Sequence, residues 1–320
     1  MELAITLGLF ALGVLLVVKG GDYFVDAASW IAEVSGVPKL IVGATIVSIA
    51  TTLPEMLVSV MAATKGKVDM SIGNAVGSVT ANIGLIMAIA LICMPGAIRR
   101  ADYLYKSVFM LLAAGIIVVC GFMGKVSILF SLILLAVFVA FMFENVSSAV
   151  KMMRADQNSG KEKTAVTGKV VTINIIKFLV GAAGIVLGAN LLVENGSELA
   201  RFMGVSERII GVTLVAVGTS LPELVTTITA IAKKQSSLSV GNILGANIMD
   251  LTLIMPLSAL VSGKSLPVST TAAMLDLPIC LLVGLVAVIP AMIKSKFTRL
   301  QGIILLAIYA VYVVATCMLV

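Results

Sequence analysis

Glu55, Glu223 and Asp250 are carboxylates set inside long apolar runs. Two of them follow a proline in the same short pattern, "ATTLPEM" at 50–56 and "GTSLPEL" at 218–224. A centrally placed acid costs about 2.5–3.5 kcal/mol on insertion scales, so an ionisable side chain kept in such a run marks a functional site. Pro54 has no N–H and frees the carbonyl of Ala50 one turn earlier; Pro222 does the same for Gly218. Thr51, Thr52, Thr219 and Ser220 place hydroxyls beside them. Carbonyl, hydroxyl and carboxylate oxygens together are the ligands of a hard cation such as Ca²⁺ or Na⁺. The competing reading is a protonated hydrogen-bond network that holds no ion. The chain has no His, which excludes imidazole metal sites, Ser-His-Asp triads and His proton relays.

The polar residues are ordered. Thr45, Ser48, Thr52, Glu55 and Ser59 recur at steps of three and four, so they share one helical face. Thr213, Ala216, Ser220, Glu223 and Thr227 repeat those steps. Asn74, Ser78 and Asn82 form a second stripe, matched by Asn242, Ala246 and Asp250. One polar stripe on an apolar helix points into a protein interior or a wet cavity, not at lipid. Gly73 with Gly77, and Gly241 with Gly245, have the spacing that lets a neighbouring backbone approach. Each stripe also has an ordinary reading: Ser and Thr bond their own helix, proline kinks, and spaced glycines pack. The acids are what the ordinary reading does not cover.

The elements that carry these stripes follow from composition. Of 320 residues, 60% are hydrophobic and only 12% are charged, which defines a polytopic membrane protein. The net charge of +6 comes from Lys and Arg in short loops, as the positive-inside rule expects, and not from a nucleic-acid surface. The four cysteines have no metal spacing and read as small core residues. Apolar windows give ten spans, near 3–32, 38–64, 69–94, 103–122, 126–146, 171–202, 207–232, 238–261, 268–292 and 298–318. A constant offset of 168 residues aligns "GVPKLIVGATIVSIATTLPE" (36–55) with "GVSERIIGVTLVAVGTSLPE" (204–223), and about 16 of the 49 positions from 36 to 84 are identical. The N-terminal apolar run therefore reads as a first span with an internal counterpart, not as a signal peptide.

The fold class is thus all-α, with ten transmembrane helices in two inverted five-helix repeats, because an odd number of spans returns the second copy from the opposite side. Residues 1–150 form the first repeat, 151–169 a cytoplasmic loop and 170–320 the second repeat. Lys and Arg, Lys106 among them, concentrate in loops that become internal if both termini lie outside the cell. Lys19 and Lys177, within spans, are expected to reach the interface along their flexible stems. Asp22, Asp26, Glu194 and Glu198 sit toward span ends and read as solvated acids.

The paired motifs resemble those of the cation/Ca²⁺ exchanger superfamily, in its prokaryotic Na⁺/Ca²⁺ exchanger branch. That family's repeats have the form G-T-S-x-P-E/D followed by G-N-x-x-G-S and then Asn or Asp. They stand here as "ATTLPE" with "GNAVGSVTAN", and "GTSLPE" with "GNILGANIMD". The resemblance implies an antiporter, not an enzyme, in the inner cell membrane, with the lipid bilayer as its partner. Ca²⁺ and Na⁺ would be substrates, and there would be no cofactor. Glu55 and Glu223 would be the main Ca²⁺ ligands, with the carbonyls of Thr51 and Thr219. Asn82 and Asp250 would line the cavity. Thr52, Ser220 and Ser78, with the carbonyls of Ser48 and Ala216, would serve flanking Na⁺ positions. Three Na⁺ would neutralise three carboxylates, and one Ca²⁺ plus a proton on Asp250 would do the same. Ala50, Thr52 and Ala246 depart from the motif, and Ala246 removes a hydroxyl. Coupling to H⁺ or K⁺ and a passive cation channel are the competing functions. Nothing in the pattern calls for a second copy, and a monomer is compatible with it.

Overall fold

A computed structural model describes residues 2–98, 100–158, 167–204 and 218–319. The helices are α1 (Glu2–Ser35), α2 (Lys39–Thr64), α3 (Val68–Cys93), α4 (Arg100–Phe122), α5 (Ile128–Asn158), α6 (Gly168–Phe202), α7 (Leu221–Ala232), α8 (Ser236–Ser262), α9 (Ala272–Lys294) and α10 (Arg299–Leu319). Among the described residues, all but α7 are long and apolar enough to cross a bilayer. The expected residues 207–217 of the seventh span lie outside the described part. Helix α5 runs to Asn158 and α6 begins at Gly168. Its composition near 151 is polar, but nothing there breaks a helix.

The chain folds into two compact units. One comprises Met1–Thr51 with Asn145–Asn242, the other Thr52–Glu144 with Ile243–Val320. Each draws on both repeats.

In the first unit, α1 and α6 pack lengthwise. Glycines bring their backbones together. A Cβ on Gly20 would lie 2.9 Å from the Gly181 carbonyl oxygen, and one on Gly188 2.8 Å from that of Gly13. Position 13 corresponds to 181 and position 20 to 188 under the 168-residue offset. The contacts are therefore reciprocal and the two equivalent helices antiparallel, which is the inverted repeat seen directly. Gly36 and Gly204, also equivalent, close α1 and α6 in the left-handed region at φ +71° and +78°, where a Cβ would be strained. Phe24, Val25, Ala28, Val42, Ile185 and Leu238 belong to the unit's apolar core.

In the second unit, two short antiparallel ribbons tie loops of opposite repeats. β1 (Gly96–Ala97) pairs with β4 (Lys296–Phe297), and β2 (Lys125–Val126) with β3 (Leu266–Pro267). The loop after α3 therefore joins the loop after α9, not its sequence equivalent after α8, so the repeats are inverted here as well. Lys106 is not a loop charge. It is buried within α4, 3.8 Å from Glu144 of α5. Gln301 of α10 donates to the carbonyls of Val286 (2.9 Å) and Ala287 (2.6 Å). The first of these is the carbonyl that Pro290 leaves without its helical donor. Of the cysteines, Cys120 and Cys280 are buried as expected, whereas Cys93 is exposed at the end of α3 and Cys317 half-buried.

Candidate functional site

Helix α2 enters through a π-helical turn, Gly43–Val47, and then runs unbroken from Ser48 to Thr64 with Pro54 inside it. The irregularity expected at Pro54 lies about two to three turns earlier. Gly43 makes the π-turn's close approach possible, since a Cβ there would collide with the Leu238 carbonyl. Gly241 sits in the same contact, against the Leu40 carbonyl. Gly73 and Gly77 have nothing near their missing Cβ positions among the described residues.

Glu55 is 1% exposed and Asp250 1%, both in the second unit, and Glu223 in the first is fully buried. Around Glu55, Asn74 donates to its backbone carbonyl at 3.1 Å and to Ser59 Oγ at 2.9 Å. Ser48 and Thr52 are buried on the same helix, and the Thr51 hydroxyl donates to Asn242 Oδ1 at 3.2 Å.

Asn82 and Asp250, equivalent in the two repeats, each open a π-helical segment: Asn82–Met87 in α3 and Asp250–Ile254 in α8. Such turns gather at functional sites because the extra residue disturbs the backbone ladder and re-aims side chains. Helix α3 packs against the segment that bears Asp250. Ser78 Oγ and both side-chain polar atoms of Asn82 are buried and find no hydrogen-bond partner among the described residues. Buried polar atoms are normally satisfied, so an orphaned set calls for an ion or water. Gly84 seats this π-turn against α10, where a Cβ would lie 2.8 Å from Tyr309 Cβ.

Helix α7 starts differently. Thr219 and Ser220 form a turn, the helix begins at Leu221, and Pro222 falls in its first turn, where a missing N–H costs nothing. Ser220 Oγ and Thr227 Oγ1 are buried without partners among the described residues. Ala216 and Thr213 lie outside the described residues. Among the described residues no group of three His, Cys, Asp or Glu side chains is gathered to hold a metal.

Sequence reasoning missed the π-turns and one acid. Asp276 of α9 accepts a hydrogen bond from the Tyr312 hydroxyl at 2.9 Å. Its position within "AAMLDLPICLLV" was a readable signal, an acid beside a proline-containing dipeptide in an apolar run. The acids Asp22 and Asp26 are not simply solvated, since Lys233 lies 3.3 Å and 2.7 Å from them.

Comparison with known proteins agrees with this architecture. The profile of the family described as sodium/calcium exchanger protein matches residues 5–146 and 173–318, one stretch per repeat. An uncharacterized membrane protein of Methanocaldococcus jannaschii, MJ0091, is 31% identical over 312 residues, covering 97% of each chain. The sodium/calcium exchanger MaX1 of Methanosarcina acetivorans is 29% identical, over 95% of this chain and 96% of its own. A solved structure of the sodium–calcium exchanger NCX_Mj, soaked with Na⁺ and Sr²⁺, superposes with a TM-score of 0.81 at 28% identity, covering 98% and 99% of the two chains. The chain belongs to the sodium/calcium exchanger family. It is a membrane transporter rather than an enzyme, and Na⁺ and Ca²⁺ are its transported ions rather than cofactors.

Proposed function

We propose that this chain exchanges Ca²⁺ for Na⁺ by alternating access, with its cations held near the bilayer midplane by oxygens of both repeats. Glu55 and Glu223 supply the principal carboxylates, aided by the carbonyls of Thr51 and Thr219. Asn82 and Asp250 line the path. Thr52, Ser78 and Ser220, with the carbonyls of Ser48 and Ala216, take the Na⁺ positions. The observation that supports this most directly is the burial of all three acids, together with buried, unpartnered oxygens on Ser78, Asn82 and Ser220 among the described residues. Hard cations favour such oxygen sets, and inverted repeats build them where helices lose their regular ladder.

Exchange of three Na⁺ for one Ca²⁺ moves one net charge, worth about 2.3 kcal/mol per 100 mV. The glycine-locked pair α1 and α6 moves as one body during the cycle. Both termini lie outside the cell. The loop charges still favour that orientation once Lys106 is assigned to the interior. The test is Ca²⁺ uptake into proteoliposomes under imposed Na⁺, K⁺ or H⁺ gradients. Uptake driven by Na⁺ alone is expected. Uptake driven equally well by H⁺ or K⁺ would transfer the coupling to that ion, and uptake with no gradient would make the protein a channel.

A further inference from the structure

A second cluster of charged side chains, none of them among the acids above, lies in the first unit. A cavity of about 590 Å³ opens there, in the size range of small-ligand sites. Asp26, Ser29, Trp30 and Glu33 line it from one face of α1, at helical spacing. Lys177 faces them from α6, and Lys233 and Gln235 close it from the loop after α7.

The charges in this cavity are not all spent on one another. Lys233 engages Asp26 Oδ1, and Lys39 engages Glu33 Oε1 and Gln235 Oε1. One oxygen of each carboxylate remains open to a donor. Lys177 has no ion-pair or hydrogen-bond partner among the described residues. Ser29 is 8% exposed, and its hydroxyl is buried and unpartnered. A buried hydroxyl without a partner, an unpaired ammonium and the spare Gln235 amide N–H groups are donors for an oxyanion. The open oxygens of Asp26 and Glu33, with the Trp30 ring, suit a small cation.

The site thus asks for a ligand that carries both charges. On α6, Ile173, Ile176 and Val180 flank Lys177 and are exposed, an apolar track suited to an acyl chain. A single tryptophan at such a boundary is at home among lipid head groups. We propose that this cavity binds the phosphoethanolamine head group of an aminophospholipid. Lys177 and Ser29 hold the phosphate, and Asp26 and Glu33 hold the primary ammonium. This assignment does not depend on the exchange reaction.

The test is native mass spectrometry of the full-length protein with equal amounts of phosphatidylethanolamine, phosphatidylglycerol and phosphatidylcholine. Preferential retention of phosphatidylethanolamine is expected. Ser29→Ala deletes an atom with no partner and leaves the fold intact. It and Lys177→Gln should each weaken retention about tenfold, the loss of one charge-assisted contact. Lys177→Arg should keep it, and Glu33→Gln should erase the preference over phosphatidylglycerol. Equal retention of all three lipids would overturn the assignment, as would unchanged retention in Ser29→Ala and Lys177→Gln. A preference for phosphatidylglycerol would overturn the ammonium half. Complete displacement by soluble phosphoethanolamine, with no lipid preference, would replace the membrane source by a free metabolite.

Discussion

The two copies of the helix pair that carries the acids share a motif but not a state. In the first, Asn74 clasps the Glu55 carbonyl and Ser59, and the helix runs straight through Pro54. In the second, the equivalent Asn242 accepts from Thr51, while its own amide nitrogen is buried and unpartnered among the described residues. Thr227, the equivalent of Ser59, is unpartnered among them too, and α7 begins after a turn at Thr219 and Ser220. Sequence identity at Thr-x-Leu-Pro-Glu therefore does not fix the backbone. Among the described residues, Ala50 stands where the second copy has Gly218. Gly218 presses on Val193, where a Cβ would lie 2.5 Å from Cγ2. Ala50 is a good helix former and lets the first copy stay helical.

Seven substitutions test how deep this asymmetry runs. The largest effect is expected from Glu55→Gln and Glu223→Gln, each reducing Na⁺-driven Ca²⁺ uptake to background. Normal uptake by either would show that only one copy carries the ions. Next, Gly218→Ala should lower uptake about tenfold through the clash with Val193. Ala50→Gly, its mirror, should cost about 1 kcal/mol of helix stability with uptake retained. Equal losses in the two would make the backbone difference irrelevant to transport.

Asn74→Ala should lower the thermal midpoint by the equivalent of about 1–2 kcal/mol, because two hydrogen bonds go with it. Asn242→Ala should cost clearly less in the same melting experiment, since half of its amide is unpaired already. The smallest effect is Ala246→Ser. This restores the hydroxyl present at Ser78 and should shift half-saturation by Na⁺ about two- to threefold, read from uptake against Na⁺ concentration. No shift would mean that position 246 touches no ion path.

The spans, their number and the duplication were legible because hydropathy and self-similarity are properties of the chain alone. The acids were legible for the same reason, since a carboxylate in an apolar run stands out at a cost of kilocalories. The π-turns at Gly43, Asn82 and Asp250 were not. They shift the hydrogen-bond register by one residue and leave no mark in composition. Proline misled in one direction: Pro54 looked like a break and sits inside a helix, while Pro222 sits where a helix begins. Such outcomes depend on what the neighbouring element presents, which no local pattern states. Lys106 read as a loop charge for the same reason, and it is buried 3.8 Å from Glu144.

The crossed glycines of α1 and α6 carry a historical implication. Each helix presents the same notch and the same ridge, so Gly13 meets Gly188 while Gly20 meets Gly181. A half-length chain with that stripe already possesses the surface its own twin requires, and two such chains would dock antiparallel about a two-fold axis. Fusion then adds only a linker. Afterward a substitution on one side alters the seam once instead of twice, which lets the halves drift apart in chemistry without losing their grip.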